Sequence, residues 1–188
     1  MQKGKKGYLN EYKKNQLLKV GVAFAIIIAI VIAAVLIKHT TKTAIIVAAI
    51  IGVLPAAKML VGFIVVAPFS SYDGERVPKD RNKTGRELFD LAISTEEKII
   101  YVPYLYMTQD KMFALVRSSR GLDKNKFKRY LQNWMKGEDL YFKVSIFEDE
   151  KSMLREVNGE LTRKTEENTK PNKNDLDKAE ERLLILVP

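Results

Sequence analysis

Residues Val20–Ile37 read VGVAFAIIIAIVIAAVLI, 18 positions without a polar side chain. At about 1.5 Å per residue, a helix of this length nearly crosses the roughly 30 Å hydrocarbon core of a bilayer. The β-branched positions Ile26, Ile27, Ile28, Ile30, Val31 and Ile32 do not argue for a strand here. A lone strand in lipid would leave its backbone groups unpaired, whereas a helix satisfies its own. A secretory signal peptide also pairs a Lys-rich start with an apolar core. The length of this run, the lack of a small-x-small cleavage site after it, and a second apolar segment directly downstream argue against that reading.

The second segment, Ala44–Phe69, carries a single charge, Lys58, and an internal proline, Pro55. Proline removes a helix hydrogen bond and clashes with the preceding turn, so a kink is expected there. Only Lys38–Thr43 joins the two segments, and so short a connection predicts an antiparallel hairpin. Small residues recur at every fourth position on both: Gly21, Ala25, Ala29 and Ala33, then Ala44, Ala48, Gly52 and Ala56. Such stripes let helix backbones approach closely in lipid, and the two are expected to face each other. A charge inside a span costs a few kcal/mol, about 2.5–3.5 at the helix centre on insertion scales. Lys58 therefore either snorkels to a head group or contacts a partner.

The charge is unevenly placed. Residues 1–69 hold nine lysines against one acid, Glu11, for a net of +8; residues 70–188 hold 23 basic and 22 acidic side chains, for a net of +1. The basicity lies beside the membrane segment, where anionic lipid attracts each Lys by about 1 kcal/mol. This argues against nucleic acid as the partner. Six lysines precede the first helix (Lys3, Lys5, Lys6, Lys13, Lys14 and Lys19). Two lie in the connecting loop, and Arg76, Lys79, Arg81, Lys83 and Arg86 follow the second helix. The positive-inside rule then expects a two-pass cell-membrane protein with both ends cytoplasmic.

These features divide the chain into a basic segment 1–19, a transmembrane hairpin 20–69 (spans 20–37 and 44–69), a linker 70–83 and a cytoplasmic domain 84–188. Within the domain, Thr84-x-x-Glu87 has the form of a capping box, and Leu88, Phe89, Leu91, Ala92 and Ile93 would give its helix an apolar side. Lys98–Met107 is β-branched and aromatic and reads as a strand. Pro103 within it points to an edge strand or a bulge. A turn at Thr108–Lys111 and a strand at Met112–Arg117 complete a hairpin. Asp123 is a good N-cap for a helix whose Phe127, Tyr130, Leu131, Trp134 and Met135 follow helical spacing, with Gly137 expected in a left-handed cap. Tyr141–Phe147 reads as a third strand. Asp149 caps another helix, with Met153, Leu154, Val157 and Leu161 inward. Residues 162–174 read as a polar loop. A last helix starts at Asp175, and its apolar end at residues 183–187 continues as helix or turns into a final strand, with helix favoured. The expected fold is an α/β (α+β) domain: a small mixed sheet packed by helices, in the order α-β-β-α-β-α-α.

The chain has no cysteine and one histidine, His39. This excludes disulfides, thiol catalysis, multi-His metal sites within one chain, and a Ser-His-Asp triad in the domain. No P-loop, dinucleotide or nucleophile-elbow motif is present. A nuclease core of the restriction-endonuclease type needs acids on its strands to hold Mg²⁺, and the strands 98–107 and 112–117 carry none. Arg117, Ser118, Ser119 and Arg120 follow a strand and precede a helix, where exposed amides can bind an anion; an ordinary loop is the plainer reading. Lys124, Lys126, Lys128, Arg129 and Lys136 form a basic helix face that is either simply solvated or laid on an anionic leaflet. No catalytic residue, metal site or cofactor is assigned.

The Lys-rich start, the paired apolar helices, the segment Leu54-Pro55-Ala56-Ala57-Lys58 and the stretch Lys143-Val144-Ser145-Ile146-Phe147 before a capped helix resemble a group of uncharacterised membrane proteins from Gram-positive anaerobes (clostridia and relatives). The resemblance implies the layout and no activity or catalytic residue. The expected role is a membrane-anchored scaffold or regulatory module, with membrane lipids and a protein partner or a second copy of the chain as its contacts. The alternatives are a membrane-surface enzyme or degenerate nuclease-like fold with an anion site, and a small accessory subunit of a transporter.

Overall fold

The structure, a computed structural model, describes residues 3–36, 42–74, 85–117, 121–137, 139–166 and 173–187. The chain divides into two compact units: Leu9–Ser70, and a second unit that joins Met1–Tyr8 to Ser71–Pro188. Of the basic segment 1–19, Met1–Tyr8 groups with the domain and Leu9 onward with the helices. The expected linker begins with residues that are part of the domain too.

The first unit holds two helices, α1 (Tyr8–Leu36) and α2 (Lys42–Val66). α1 begins well before the apolar run at Val20. Residues 8–19 contain no Gly or Pro to interrupt a helix, and Glu11 sits in the first turn, where the helix dipole favours an acid. Over Tyr8–Ala33, α1 is long and apolar enough to cross a membrane; the apolar stretch of α2, Ile50–Val66, is shorter. Pro55 lies inside α2. Residues 37–41 of the expected loop lie outside the described residues.

The helix contact departs from the two-stripe expectation. Gly21, Ala25, Ala29 and Ala33 are all exposed on α1, whereas Ala23, Ile27 and Ile30 are partly covered. On α2, Ala56 is buried and Gly52 partly so, and a Cβ on Gly52 would lie 4.0 Å from the Ile27 side chain. Ile27 lies over Gly52, so a large residue meets a small one. Large against small leaves less void than two small faces and retains more dispersion contact. Ala44 and Ala48 also fall on α2. At the other end of the pair, Lys13 Nζ donates to the carbonyls of Ala67, at 2.9 Å, and of Phe69. Those groups terminate α2, where carbonyls lack helical partners and a cation is favoured. Gln16 donates to the Tyr12 hydroxyl at 2.9 Å one turn along.

The second unit is α+β. Strands β1 (Arg86–Ser94), β2 (Ile99–Met107), β3 (Lys111–Leu115) and β4 (Lys143–Phe147) form one mixed sheet in the order β1-β2-β3-β4. The first two pairings are antiparallel, and β3 and β4 are parallel. A parallel pair needs a long crossover, which α3 (Lys124–Lys136) supplies; α4 (Glu150–Glu166) and α5 (Lys173–Ile185) follow. The expected helix at Glu87–Ile93 is strand β1, and Thr84 lies outside the described residues. Its apolar side chains Leu88, Phe89, Leu91, Ala92 and Ile93 are all buried, as befits a strand covered on both faces.

Tyr72, Phe89, Tyr104, Tyr106, Phe113 and Leu115 form one core cluster with Met153 and Val157 of α4. Burying each such side chain is worth roughly 1.5–3 kcal/mol. Tyr72, Phe89 and Tyr104 stack, with centroids 5.0 to 6.0 Å apart. The alternate residues Met112, Ala114 and Val144 are fully buried as well. α3 lies against β4 and α5 against β1.

Two caps follow the sequence. Asp123 accepts from the amides of Asn125 and Lys126, and Asp149 accepts from the amide and hydroxyl of Ser152. Gly137 differs from expectation: it is right-handed (φ −61°), and its amide reaches back to Asn133 and Met135 carbonyls. The left-handed residue after α3 is Asp139 (φ 59°). The expected polar loop at 162–174 is shorter, because α4 runs to Glu166 and α5 begins at Lys173; residues 167–172 lie outside the described residues. The apolar end of α5 is helical through Ile185, with Leu183 and Val187 buried.

Candidate functional site

The β1–β2 turn and the start of α3 enclose a cleft of about 250 Å³. Ile100, Leu122 and Phe127 give it apolar lining; Glu96, Glu97, Lys98, Lys126 and Arg129 give it charge of both signs. Three contacts strap its walls together. Lys98 Nζ donates to the Gly121 carbonyl at 2.9 Å, the Tyr130 hydroxyl donates to the Ser94 carbonyl at 2.8 Å, and Lys126 pairs with Glu97. The Glu97 carboxylate raises the Lys126 pKa, and partial burial beside Glu96 raises that of Tyr130. Gly121 holds a left-handed φ of +81° at the entrance to α3, a conformation glycine adopts without steric cost. The cleft can admit a small polar molecule, at the expense of pairs already made.

Of the sequence-derived anion site, Arg117 is exposed just beyond β3, and Ser118, Ser119 and Arg120 lie outside the described residues. The basic face of α3 is partly committed to the domain's own acids. Lys124 pairs with Glu148 at 3.0 Å and Lys126 with Glu97, while Lys128 is partly covered and Arg129 and Lys136 are exposed. Lys58 is exposed on α2. Among the described residues, no group of three or more His, Asp or Glu could hold a metal ion.

Sequence reasoning missed the most constrained polar group of the domain. Asp90, in the middle of β1, is fully buried and left-handed (φ 56°). Its Oδ1 accepts the Tyr72 amide at 2.7 Å and the Tyr101 hydroxyl at 2.8 Å; its Oδ2 accepts the Gly7 amide at 3.0 Å. Burial and the adjacent Asp90 carboxylate push the Tyr101 pKa far above its ordinary value, so the phenol stays a donor. Around this node, Gly4 accepts the Phe89 amide at 2.8 Å, Lys3 Nζ reaches the Val187 carbonyl at 2.5 Å, and Lys6 lies 5.8 Å from the Tyr72 ring centroid. The available signal was a single acid inside an otherwise apolar run, Leu88–Ile93. Buried carboxylates need several donors, and that demand implied partners from elsewhere in the chain.

No protein-family model, curated protein or solved structure matches this chain.

Proposed function

We propose that this is a two-pass membrane protein whose cytoplasmic α+β domain works as a scaffold or regulatory module at the inner leaflet. The observation that carries the reading is the apolar surface of the helices. On α1, Leu18, Val22, Phe24, Ile26, Ile28, Val31 and Ile32 are exposed, and on α2 so are Ile50, Ile51, Val53, Leu54, Val61 and Ile64. A helix apolar all round must be covered by protein or by lipid, and these helices leave most of that surface uncovered. Their basic flanks favour cytoplasmic ends.

Because the chain lacks cysteine, single-cysteine variants report topology without background. Lys42→Cys should react with a membrane-impermeant maleimide on intact cells. Glu96→Cys should react only after permeabilisation. Equal labelling of both before permeabilisation would overturn the two-pass, ends-inside arrangement. Gentle extraction of the full chain, with mass spectrometry of what co-purifies, then tests the scaffold role. A stoichiometric protein partner supports it, and turnover dependent on domain residues such as Arg129 replaces it with the enzyme reading.

A further inference from the structure

We propose that Asp90 is a positioning residue that clasps to the sheet the two segments at which the chain leaves the domain for residues 9–70 and returns from them. Gly7 precedes α1 and Tyr72 follows α2, yet their amides meet on one carboxylate. The third donor, the Tyr101 hydroxyl, belongs to β2, so the same carboxylate joins both crossing points to the sheet interior.

The backbone shows that this arrangement has a cost. Between Phe89↔Tyr104 and Leu91↔Val102, the ladder has no pair at Asp90, which stands across from Pro103. Phe89 sends its amide away from β2, to Gly4, and Ser94 sends its amide away from β2, to Leu186. Residues an odd number apart in an unbroken strand point opposite ways. The left-handed Asp90 reverses the strand between them. Proline has no N–H, so β2 gives up no donor at that position. Strained backbone persists where the surroundings over-determine it, and such outliers collect at functional positions. Here the strain turns one carboxylate toward three donors from three separate parts of the chain. Release of either segment from the domain must break a bond to Asp90, and Tyr101 shares the oxygen that holds Tyr72.

Hydrogen exchange of the full chain in lipid nanodiscs tests the clasp. Asp90→Ala and Asp90→Gly should raise exchange at residues 4–8 and 71–74 together, by ten-fold or more, while α4 keeps its protection. Asp90→Gly relieves the left-handed strain and so separates the carboxylate from the backbone. If Asp90 mattered only for its backbone conformation, that variant would leave both segments protected and the proposal would fail. Loosening of only one of the two segments would sink the clasp. Tyr101→Phe, which removes one donor and leaves the fold intact, should loosen 71–74 more than 4–8. The reverse order also counts against the proposal.

Discussion

Asp90 faces Pro103 across β1 and β2, and at that one step the otherwise continuous register has no ladder pair. A left-handed acid on one strand meets a residue without an amide on the other. Neither could replace an ordinary β residue without loss, yet together they open a gap through which a carboxylate leaves the sheet. Asp90→Leu should therefore be severe. It leaves three buried donors unmatched, each worth about 1–3 kcal/mol, and puts a bulky side chain at positive φ for about 1 kcal/mol more. Denaturant unfolding should show a loss above about 3 kcal/mol, with Asp90→Asn intermediate because the amide still accepts on one side.

Gly52 and Ala29 separate in the same way. Each belongs to a small-residue stripe, but only Gly52 sits under a side chain of the other helix. Gly52→Leu should displace Ile27 and cost about 1–3 kcal/mol by overpacking. Ala29→Leu should stay within about 0.5 kcal/mol. Thermal stability and protease resistance in detergent compare the two, and equal effects would contradict the contact described.

Lys13 and Lys14 are neighbours with different duties. Lys13 reaches the carbonyls that end α2, whereas Lys14 is exposed. Lys13→Gln should destabilise the end of α2 by about 0.3–1 kcal/mol and speed amide exchange over residues 63–69. Lys14→Gln should do neither.

The domain's acid limb should depend on Asp149. The Ser152 hydroxyl and amide hold its carboxyl below the ordinary aspartate range. A group whose folded pKa is depressed contributes stability that is fully present above the unfolded value and lost as pH falls through the folded one. Urea midpoints should therefore fall between pH 4 and more acidic values in the parent chain. Asp149→Asn should flatten that part of the profile while leaving the neutral-pH shape unchanged.

Glu160 is nearly buried on α4 and pairs with Lys111 at 2.5 Å and Arg163 at 3.2 Å. Removing one partner of a covered pair costs about 3–5 kcal/mol, because the remaining charge is stranded. Arg163 softens this, so Lys111→Met should lose about 1–3 kcal/mol. The double change with Glu160→Leu should recover part of it, which a double-mutant cycle would show.

The sequence made some of this legible and hid the rest for physical reasons. The apolar part of α1, strands β2 and β3 (a residue or two off their expected bounds), and the helices after Asp123 and Asp149 all follow from periodicity and capping chemistry. They depend on neighbours in the chain. β1 did not follow, because it is covered on both faces and so shows none of the alternation that marks a half-buried strand. Apolar residues at 88, 89, 91, 92 and 93 then fall in a spacing that mimics one face of a helix. Pro103 suggested an edge strand, yet β2 is interior, because the missing N–H meets a position that is itself unpaired. Asp90 itself could not be placed, since its partners Gly7 and Tyr72 lie 83 and 18 residues away. Arg117 was legible as a cation at a strand end, but nothing local said what would converge on it.

Residues 3–7 and Leu186 line the outer side of β1 through the Gly4 and Leu186 carbonyls. A fragment begun after the second helix would carry β1 with half of that cover gone. Unpaired strand amides recruit other chains, so the domain cut out at residue 70 should tend to self-associate. The same geometry orders events during synthesis: residues 3–7 must wait, through the making of both helices, for the strand they cover.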